Sequence, residues 1–216
     1  YRDVEDPSLT FVAEVIDENG DPDPEGRAFL AWTTTPWTVP SNAGLAVHPE
    51  LTYAEVARDG RRYIVAQGRV EALFGEDARV VATRTGQELV GMRYARPLDL
   101  VAEPDDPENG WTVVGEDFVS ADDGTGIVHM APAFGADDYA AGKKHGLPMI
   151  NPIDDAGRFV DEVAVVGGQF VKDADAALVE ELEKRKRVFD IGRVTHSYPH
   201  CWRCDSPLLY MARDSW

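Results

Sequence analysis

Tyr53-Ala54-Glu55-Val56-Ala57-Arg58-Asp59-Gly60-Arg61-Arg62-Tyr63-Ile64-Val65-Ala66 reads as two short strands joined at Asp59-Gly60. Gly tolerates positive φ, so Asp-Gly closes a tight hairpin. Outward from this hairpin the same kind of run recurs at residues 9–16, 28–34, 43–47, 79–83 and 111–114. Each is short, rich in Val, Ala and aromatics, and bounded by Gly, Pro or Asp. That many short strands at close spacing predict a barrel or sandwich rather than βαβ units. Helices are fewer. Residues 70–74 give a turn or two. Residues 136–145 give a helix stopped by Gly146, with Pro148 beyond. Residues 173–187 give the clearest helix, with Ala174, Ala177, Leu178 and Leu182 on one face and Glu180, Glu181 and Glu183 outward. Residues 188–197 return to strand. The expected class is mixed α/β of the α+β kind, predominantly β, with a barrel-like core of short strands and peripheral helices.

The chain has 216 residues, the span of one large domain with room for an appended subdomain. Its 44% hydrophobic and 28% charged residues are globular proportions. No run approaches the ~20 apolar residues of a membrane span, and no basic-then-apolar leader opens the chain. A start at Tyr1-Arg2-Asp3-Val4 and an end at Arg213-Asp214-Ser215-Trp216 read as cuts from something longer, 1–216 being a single excised domain. Two Cys exclude a disulfide-rich scaffold and suit a reducing, cytoplasmic setting. A net charge of -18 argues against a broad phosphate footprint and leaves room only for a local neutral or basic strip. The Lys184-Arg185-Lys186-Arg187 run could be such a strip, or could simply offset a helix dipole. The acidic stretches 17–26 and 99–110, the latter including Glu103-Pro104-Asp105-Asp106-Pro107-Glu108, read as solvated loops. A monomer is the default expectation.

Chemistry concentrates in two places. Trp32-Thr33-Thr34-Thr35-Pro36-Trp37-Thr38 continues into Val39-Pro40-Ser41-Asn42. Thr belongs in a strand, and Pro36 ends it by removing an amide donor. Alternation sets Thr33 and Thr35 on one face and Thr34 on the other. Hydroxyls at such a strand end both donate and accept, so they can orient a water or a ribose hydroxyl. The second stretch is Gly124-Thr125-Gly126-Ile127-Val128-His129-Met130-Ala131-Pro132-Ala133-Phe134-Gly135-Ala136-Asp137-Asp138-Tyr139. Its glycines permit close backbone approach. Asp137 and Asp138 fall in the first turn of a helix, where the dipole suits both. One carboxylate pointing inward would pair with a ligand ammonium group, the other serving the cap. His129 could act as a base, as a donor or as polar wall.

Cys201-Trp202-Arg203-Cys204 is half of a structural zinc site, which takes four ligands. His196 and His200 are the only local candidates to complete it, so the rest of the site is expected outside this chain. No P-loop, dinucleotide fingerprint or nucleophile elbow occurs.

Together the two stretches resemble the editing domain, connective polypeptide 1 (CP1), inserted in isoleucyl-tRNA synthetases of class I. The resemblance covers essentially the whole chain. Valyl and leucyl relatives carry Arg in the Thr-rich peptide, where this chain has Thr35. The HIGH and KMSKS signatures of the synthetic core are absent, so no aminoacylation is expected from this chain. Residues 196–216 resemble the strand that returns to that core. The resemblance implies hydrolysis of valine misattached to tRNA(Ile), and possible hydrolysis of valyl-adenylate. Isoleucine would be excluded by pocket size, a second sieve for which these synthetases are themselves the usual illustration. It implies catalytic roles for Thr33, Thr34, Thr35, His129 and Asp138, the last holding the substrate ammonium. Trp32, Thr38, Asn42, Phe134 and Gly135 would contact substrate. No cofactor is needed for editing. The partners implied are the aminoacylated 3′ end of tRNA(Ile) and the rest of the synthetase, with Arg193, Arg203 and the basic run as phosphate contacts. A valyl- or leucyl-type editing domain, a zinc-stabilised RNA-binding module without catalysis, and a generic esterase remain alternatives.

Overall fold

The structure is a computed structural model describing residues 2–104 and 109–213, apart from the side chain of His196. Part of the acidic stretch 99–110, the C-terminal Asp214-Ser215-Trp216 and the proposed zinc-ligand role of His196 lie outside it. Its strands in chain order are β1 (Arg2–Ile16), β2 (Arg27–Thr33), β3 (Gly44–Val47), β4 (Thr52–Arg58) and β5 (Arg61–Ala66). Then come β6 (Val80–Thr85), β7 (Arg93–Tyr94), β8 (Thr112–Gly115), β9 (Val128–Met130) and β10 (Val188–Tyr198). The helices are α1 (Val70–Phe74), α2 (Gly86–Leu89), α3 (Ala136–His145) and α4 (Val171–Lys184).

The expected barrel core is present. β1 pairs with β7, β7 with β8, β8 with β3, β3 with β9 and β9 with β2, and β2 returns to β1. Successive strand residues point to opposite faces, so one set of side chains fills this ring. Leu9, Phe11, Ala13 and Val15 of β1, Phe29 and Ala31 of β2, Leu45 of β3, Tyr94 of β7 and Met130 of β9 belong to one buried cluster. The alternate residues Val12, Ala28 and Leu30 face outward into a second cluster with Ala54, Val56 and Val65. That second cluster is roofed by the hairpin read from the sequence. β4 and β5 pair antiparallel, and the turn residues Asp59 and Gly60 both have positive φ, 51° and 79°, as the mirror-image turns of tight hairpins require.

Three differences from the sequence reading have physical causes. β1 begins at Arg2 rather than Leu9, because its polar first half is held in a ribbon by β10, from Arg2↔Tyr198 to Pro7↔Arg193. Pro7 is tolerated because that half of β1 has no second neighbour. β7, β9 and α2 have only two to four residues, too few to show a period. The last helix is Val171–Lys184, not 173–187. Arg185 caps it, and Lys186 turns away at φ 57°. The basic run is therefore a helix tail only in its first half, Lys184 in the last turn and Arg185 at the cap. Lys184 pairs with Glu180, Arg185 with Glu181 and Asp99, and Arg187 with Glu14 and the Arg96 carbonyl. These cations are engaged within the chain.

Candidate active site

The Thr-rich peptide begins as the end of a barrel strand. β2 stops at Thr33, and Thr34 is a bend, two residues earlier than a break at Pro36. Pro36 then opens a 3-10 turn over Pro36–Ser41, where a missing N–H costs nothing. The bend folds the hydroxyls onto one another. The Thr35 amide donates to Thr33 Oγ1 at 3.1 Å, and the hydroxyls of Thr33 and Thr35 lie 3.3 Å apart. Thr35 and Thr38 hydroxyls are also 3.3 Å apart, and Thr38 Oγ1 donates to the Thr35 carbonyl at 2.8 Å. Thr34, expected on the opposite face, also lines the cavity because the strand has already bent.

The Gly-rich stretch arrives beside it through β9. Trp32 of β2 pairs with Val128, and Leu45 of β3 pairs with His129, so β9 fills the gap between the two strands. Its approach is fixed by Gly126 at φ 73°, where a Cβ would lie 2.3 Å from the Ala66 Cβ. Tyr53 donates its hydroxyl to the Gly126 carbonyl at 2.9 Å. Gly124, at φ 58°, leaves room for Trp32, whose ring would lie 3.0 Å from an added Cβ.

The two stretches meet around a cavity of about 290 Å³ lined by Trp32, the three consecutive threonines, Thr38, Val128, His129, Ala131, Phe134 and Asp138. Asn42 is not in that lining. It lies behind His129, fully buried. Gly135 is not in the lining either. It sits against Asp138, whose Cγ would be 3.1 Å from an added Cβ. A side chain there would press on the carboxylate.

The hydrogen bonds behind the cavity fix the state of His129. Asn42 Nδ2 donates to the Gly44 carbonyl at 3.0 Å, which orients the amide. The same nitrogen faces His129 Nδ1 at 2.8 Å, and Asn42 Oδ1 accepts from the Tyr94 hydroxyl at 2.7 Å. Nδ1 must therefore accept, so the ring proton sits on Nε2 and is donated to Thr38 Oγ1 at 3.0 Å. Burial pushes the His129 pKa down to about 4, because a charged imidazolium loses its hydration there. Both ring nitrogens are spent and the ring is neutral at pH 7. Of the three roles open from sequence, this geometry suits the polar wall, since the Nε2 proton is already given to Thr38.

Asp138 behaves differently from its neighbour. Asp137 is exposed in the first turn of α3, whose N-cap is Gly135 without a side-chain cap. Asp138 is half-buried, and its Oδ2 accepts from the Ala131 amide at 2.8 Å. Burial, and to a lesser degree the Asp137 charge, raise its pKa. No Lys or Arg pairs with it among the described residues. A carboxylate at a cavity wall with no cation is suited to receive one from a ligand.

Residues not singled out by sequence also matter here: the Ala131 amide, Val128, Tyr94 and Asp175. Asp175 could have been noticed, since it falls within the buried stripe Val171, Ala174, Leu178 and Leu182 of α4.

Cys201 and Cys204 lie in a turn away from the cavity, half-buried and exposed respectively, both free thiols. Cys204 Sγ donates to Ser206 Oγ at 3.4 Å, and that contact is the main cause lowering its pKa. His200 Nδ1 faces the Tyr198 carbonyl at 3.0 Å. No group of three or more candidate ligands is found among the described residues. Two thiols alone fall short of a four-ligand zinc site. Arg193 lies 3.5 Å from Glu5, and the Arg203 guanidinium stacks over the Trp202 ring at 4.9 Å. No helix among the described residues is long and apolar enough to cross a membrane.

No protein-family model matches the chain. Over all 216 residues it is 44% identical to an isoleucine–tRNA ligase of Bacillus thuringiensis strain Al Hakam and 44% identical to one of Thermoplasma acidophilum. It is 45% identical over the same length to an isoleucine–tRNA ligase of Clostridium acetobutylicum. The chain spans about a fifth of the length of these curated relatives, 20% in each case. Among solved structures it is similar to the crystal structure of GlLeuRS-CP1, with a TM-score of 0.64 at 18% identity, covering 89% of this chain and all of that one. The P. knowlesi cytosolic leucyl-tRNA synthetase editing domain gives a TM-score of 0.60 at 13% identity, over 88% of this chain and 96% of that one. At those identities the likeness is one of fold.

Proposed function

The chain belongs with the isoleucine–tRNA ligases, as a segment with the CP1 editing-domain fold, and from that premise we propose that it hydrolyses the ester of valine misattached to tRNA(Ile). The observation carrying this reading is the cavity itself: a hydroxyl wall and a neutral His129 face an Asp138 carboxylate with no cation of its own. The substrate's α-ammonium would pair with Asp138. The ester carbonyl would then lie against the Thr33, Thr34 and Thr35 wall. A water oriented by those hydroxyls attacks the carbonyl carbon, the ester C–O bond breaks, and the ribose oxygen leaves with a proton. Positioning and hydrogen bonds to the developing oxyanion supply the rate. Because His129 has no free lone pair and a lowered pKa, a ribose hydroxyl of the substrate is the better proton acceptor for the water.

Isoleucine is excluded when the wall does not yield to one more methylene, a limit for which isoleucyl enzymes are the usual example. His129 is suited to that role, being held on three sides by Asn42, Thr38 and the edge of Phe11 at 5.7 Å. On this reading the partners are the 3′ end of tRNA(Ile), valyl-adenylate as a second substrate, and the rest of a synthetase in the cytoplasm. With Lys184, Arg185 and Arg187 engaged internally, weak tRNA affinity is expected of this chain alone. No metal takes part in the chemistry. Any zinc held by Cys201 and Cys204 needs ligands from elsewhere.

The test is deacylation of Val-tRNA(Ile) beside Ile-tRNA(Ile), with Asp138→Ala as control. Cleavage of the valyl ester alone, abolished by the substitution, supports the reading. Cleavage of simple esters without the adenosine moiety points instead to a general esterase. Zinc-dependent tRNA binding without hydrolysis points to an RNA-binding module.

A further inference from the structure

Asp175 is a buried carboxylate that the mechanism above does not use. It lies on α4, 138 residues from the Thr-rich peptide, with only 7% of its surface exposed. Its Oδ1 accepts the Trp37 amide at 2.8 Å. That amide belongs to the first turn of the 3-10 segment Pro36–Ser41, whose preceding residue Thr35 supplies no side-chain cap. The first amides of such a turn lack partners of their own, so Asp175 closes the turn from a different element. The same turn carries Thr38, which receives the His129 proton and contacts Thr35. Releasing the Trp37 amide loosens the segment that aligns both cavity walls.

The charged and titratable groups around Asp175 are few. Lys172, one turn earlier on α4, pairs with Asp6 of β1 at 2.7 Å and lies over the Tyr198 ring of β10 at 4.5 Å. Lys172 favours the Asp175 charge and Asp6 opposes it, while burial first, then Asp6, Asp175 and Tyr210, raise the Tyr198 hydroxyl pKa.

We infer that Asp175 is a positioning residue for ester hydrolysis, holding the Thr35–Thr38 turn in its productive shape through the Trp37 amide. The inference rests on the hydrolytic reading of the cavity. Burial pushes the Asp175 pKa up to about 7, so the carboxylate gains charge near neutrality and its bond to the amide strengthens on ionisation. Hydrolysis therefore rises with pH through about 7.

The experiment measures deacylation of Val-tRNA(Ile) by the whole native protein and by its Asp175→Ala, Asp175→Asn and Asp138→Ala variants from pH 6 to 8.5, less the spontaneous rate. Asp175→Ala is expected to lose about tenfold in kcat with KM little changed, the cost of one hydrogen bond to a charged group. Asp175→Asn keeps an oxygen for the amide. It is expected within about threefold of wild type at pH 8, with the rise through pH 7 abolished. Amide exchange at Trp37 should be slow in wild type and Asp175→Asn and fast in Asp175→Ala. A folded Asp175→Ala protein with wild-type kcat overturns the inference. So does an Asp175→Asn profile that keeps the rise near pH 7, which decides the matter alone when the alanine variant does not fold. If wild type and Asp138→Ala are equally inactive, the hydrolytic reading fails. The Trp37 exchange pattern then still decides whether Asp175 holds the turn.

Discussion

The wall of the cavity and the layer behind it are built from the same kinds of groups, yet their hydrogen bonding differs. Behind the wall the network around Asn42 is closed. Both Nδ2 contacts and the Oδ1 contact of Asn42 are satisfied, the Tyr94 hydroxyl is spent, and the Trp111 indole donates to the Asn42 carbonyl at 2.9 Å. On the wall the threonine hydroxyls meet only at a long 3.3 Å, and the Asp138 carboxylate has no side-chain partner among the described residues. Buried polar groups are costly unless paired, so the closed layer serves the fold. The open one is what a ligand would complete. Substitutions in the two layers should therefore separate activity from stability.

The largest effect expected is on the wall. Asp138→Ala removes the sole carboxylate of the cavity and is expected to slow deacylation by about 10²–10³-fold, as for a buried charge left without its partner. Asp138→Asn keeps an acceptor for the Ala131 amide and should leave denaturation within ~0.5 kcal/mol of wild type. Comparable losses of activity and stability in both variants would erase the distinction between the layers.

Asn42→Ala attacks the closed layer. It strips partners from Tyr94, from the Gly44 carbonyl and from His129 at once. Unfolding in urea should show a loss of about 3–4 kcal/mol, because each abandoned buried group costs ~1–3 kcal/mol. Tyr94→Phe removes only one contact and should cost about 1–2 kcal/mol. If Asn42→Ala were stable but inactive, Asn42 would belong with the wall.

Acid should act through the same layer. His129 has a folded pKa of about 4 against an ordinary 6.5. Below the ordinary value the unfolded chain takes up a proton that the fold refuses. Stability is thus fully present above about pH 6.5 and is lost by about 3 kcal/mol as pH falls to 4. Asp175 runs the other way. Its pKa is raised from 3.8 to about 7, so the fold holds a proton that the unfolded chain releases. That carboxyl costs stability increasingly from pH 4 to 7, up to about 4 kcal/mol. The two slopes oppose each other over nearly the same range. Chemical denaturation from pH 4 to 7.5 should show a shallow profile for wild type and a steep rise with pH for Asp175→Asn. Parallel profiles would mean that Asp175 is not buried as described.

Much of the wall was legible from sequence, and little of the layer behind it. A hydroxyl cluster is announced by the Thr run itself, though the strand bends at Thr34 rather than at Pro36, and the inward carboxylate by two Asp at a helix start. Both signals are local. The barrel strands were legible for the same reason, since Val and aromatic runs mark a pleated surface. β7 is visible only through its ladder to β1 and β8. Tyr94 meets Asn42 across 52 positions and Asp175 meets Trp37 across 138. Contacts of that separation leave no spacing to read. For Asn42 the resemblance implied a substrate contact, and packing sets it behind His129.

The smallest expected effect lies one residue from the largest. Asp137 and Asp138 occupy adjacent positions in the first turn of α3, and a helix rotates each residue about 100° from the last. That rotation sends Asp138 toward the Ala131 amide and leaves Asp137 exposed. Asp137 keeps only the dipole's preference for negative charge, ~0.3–1 kcal/mol at an exposed site. It also raises the Asp138 pKa slightly through its charge. Asp137→Asn should therefore cost no more than about 1 kcal/mol in urea and leave deacylation at pH 8 within about twofold. A large loss of activity in this variant would mean that α3 presents Asp137 to the substrate. The ammonium site and the register of the helix would then both have to be redrawn.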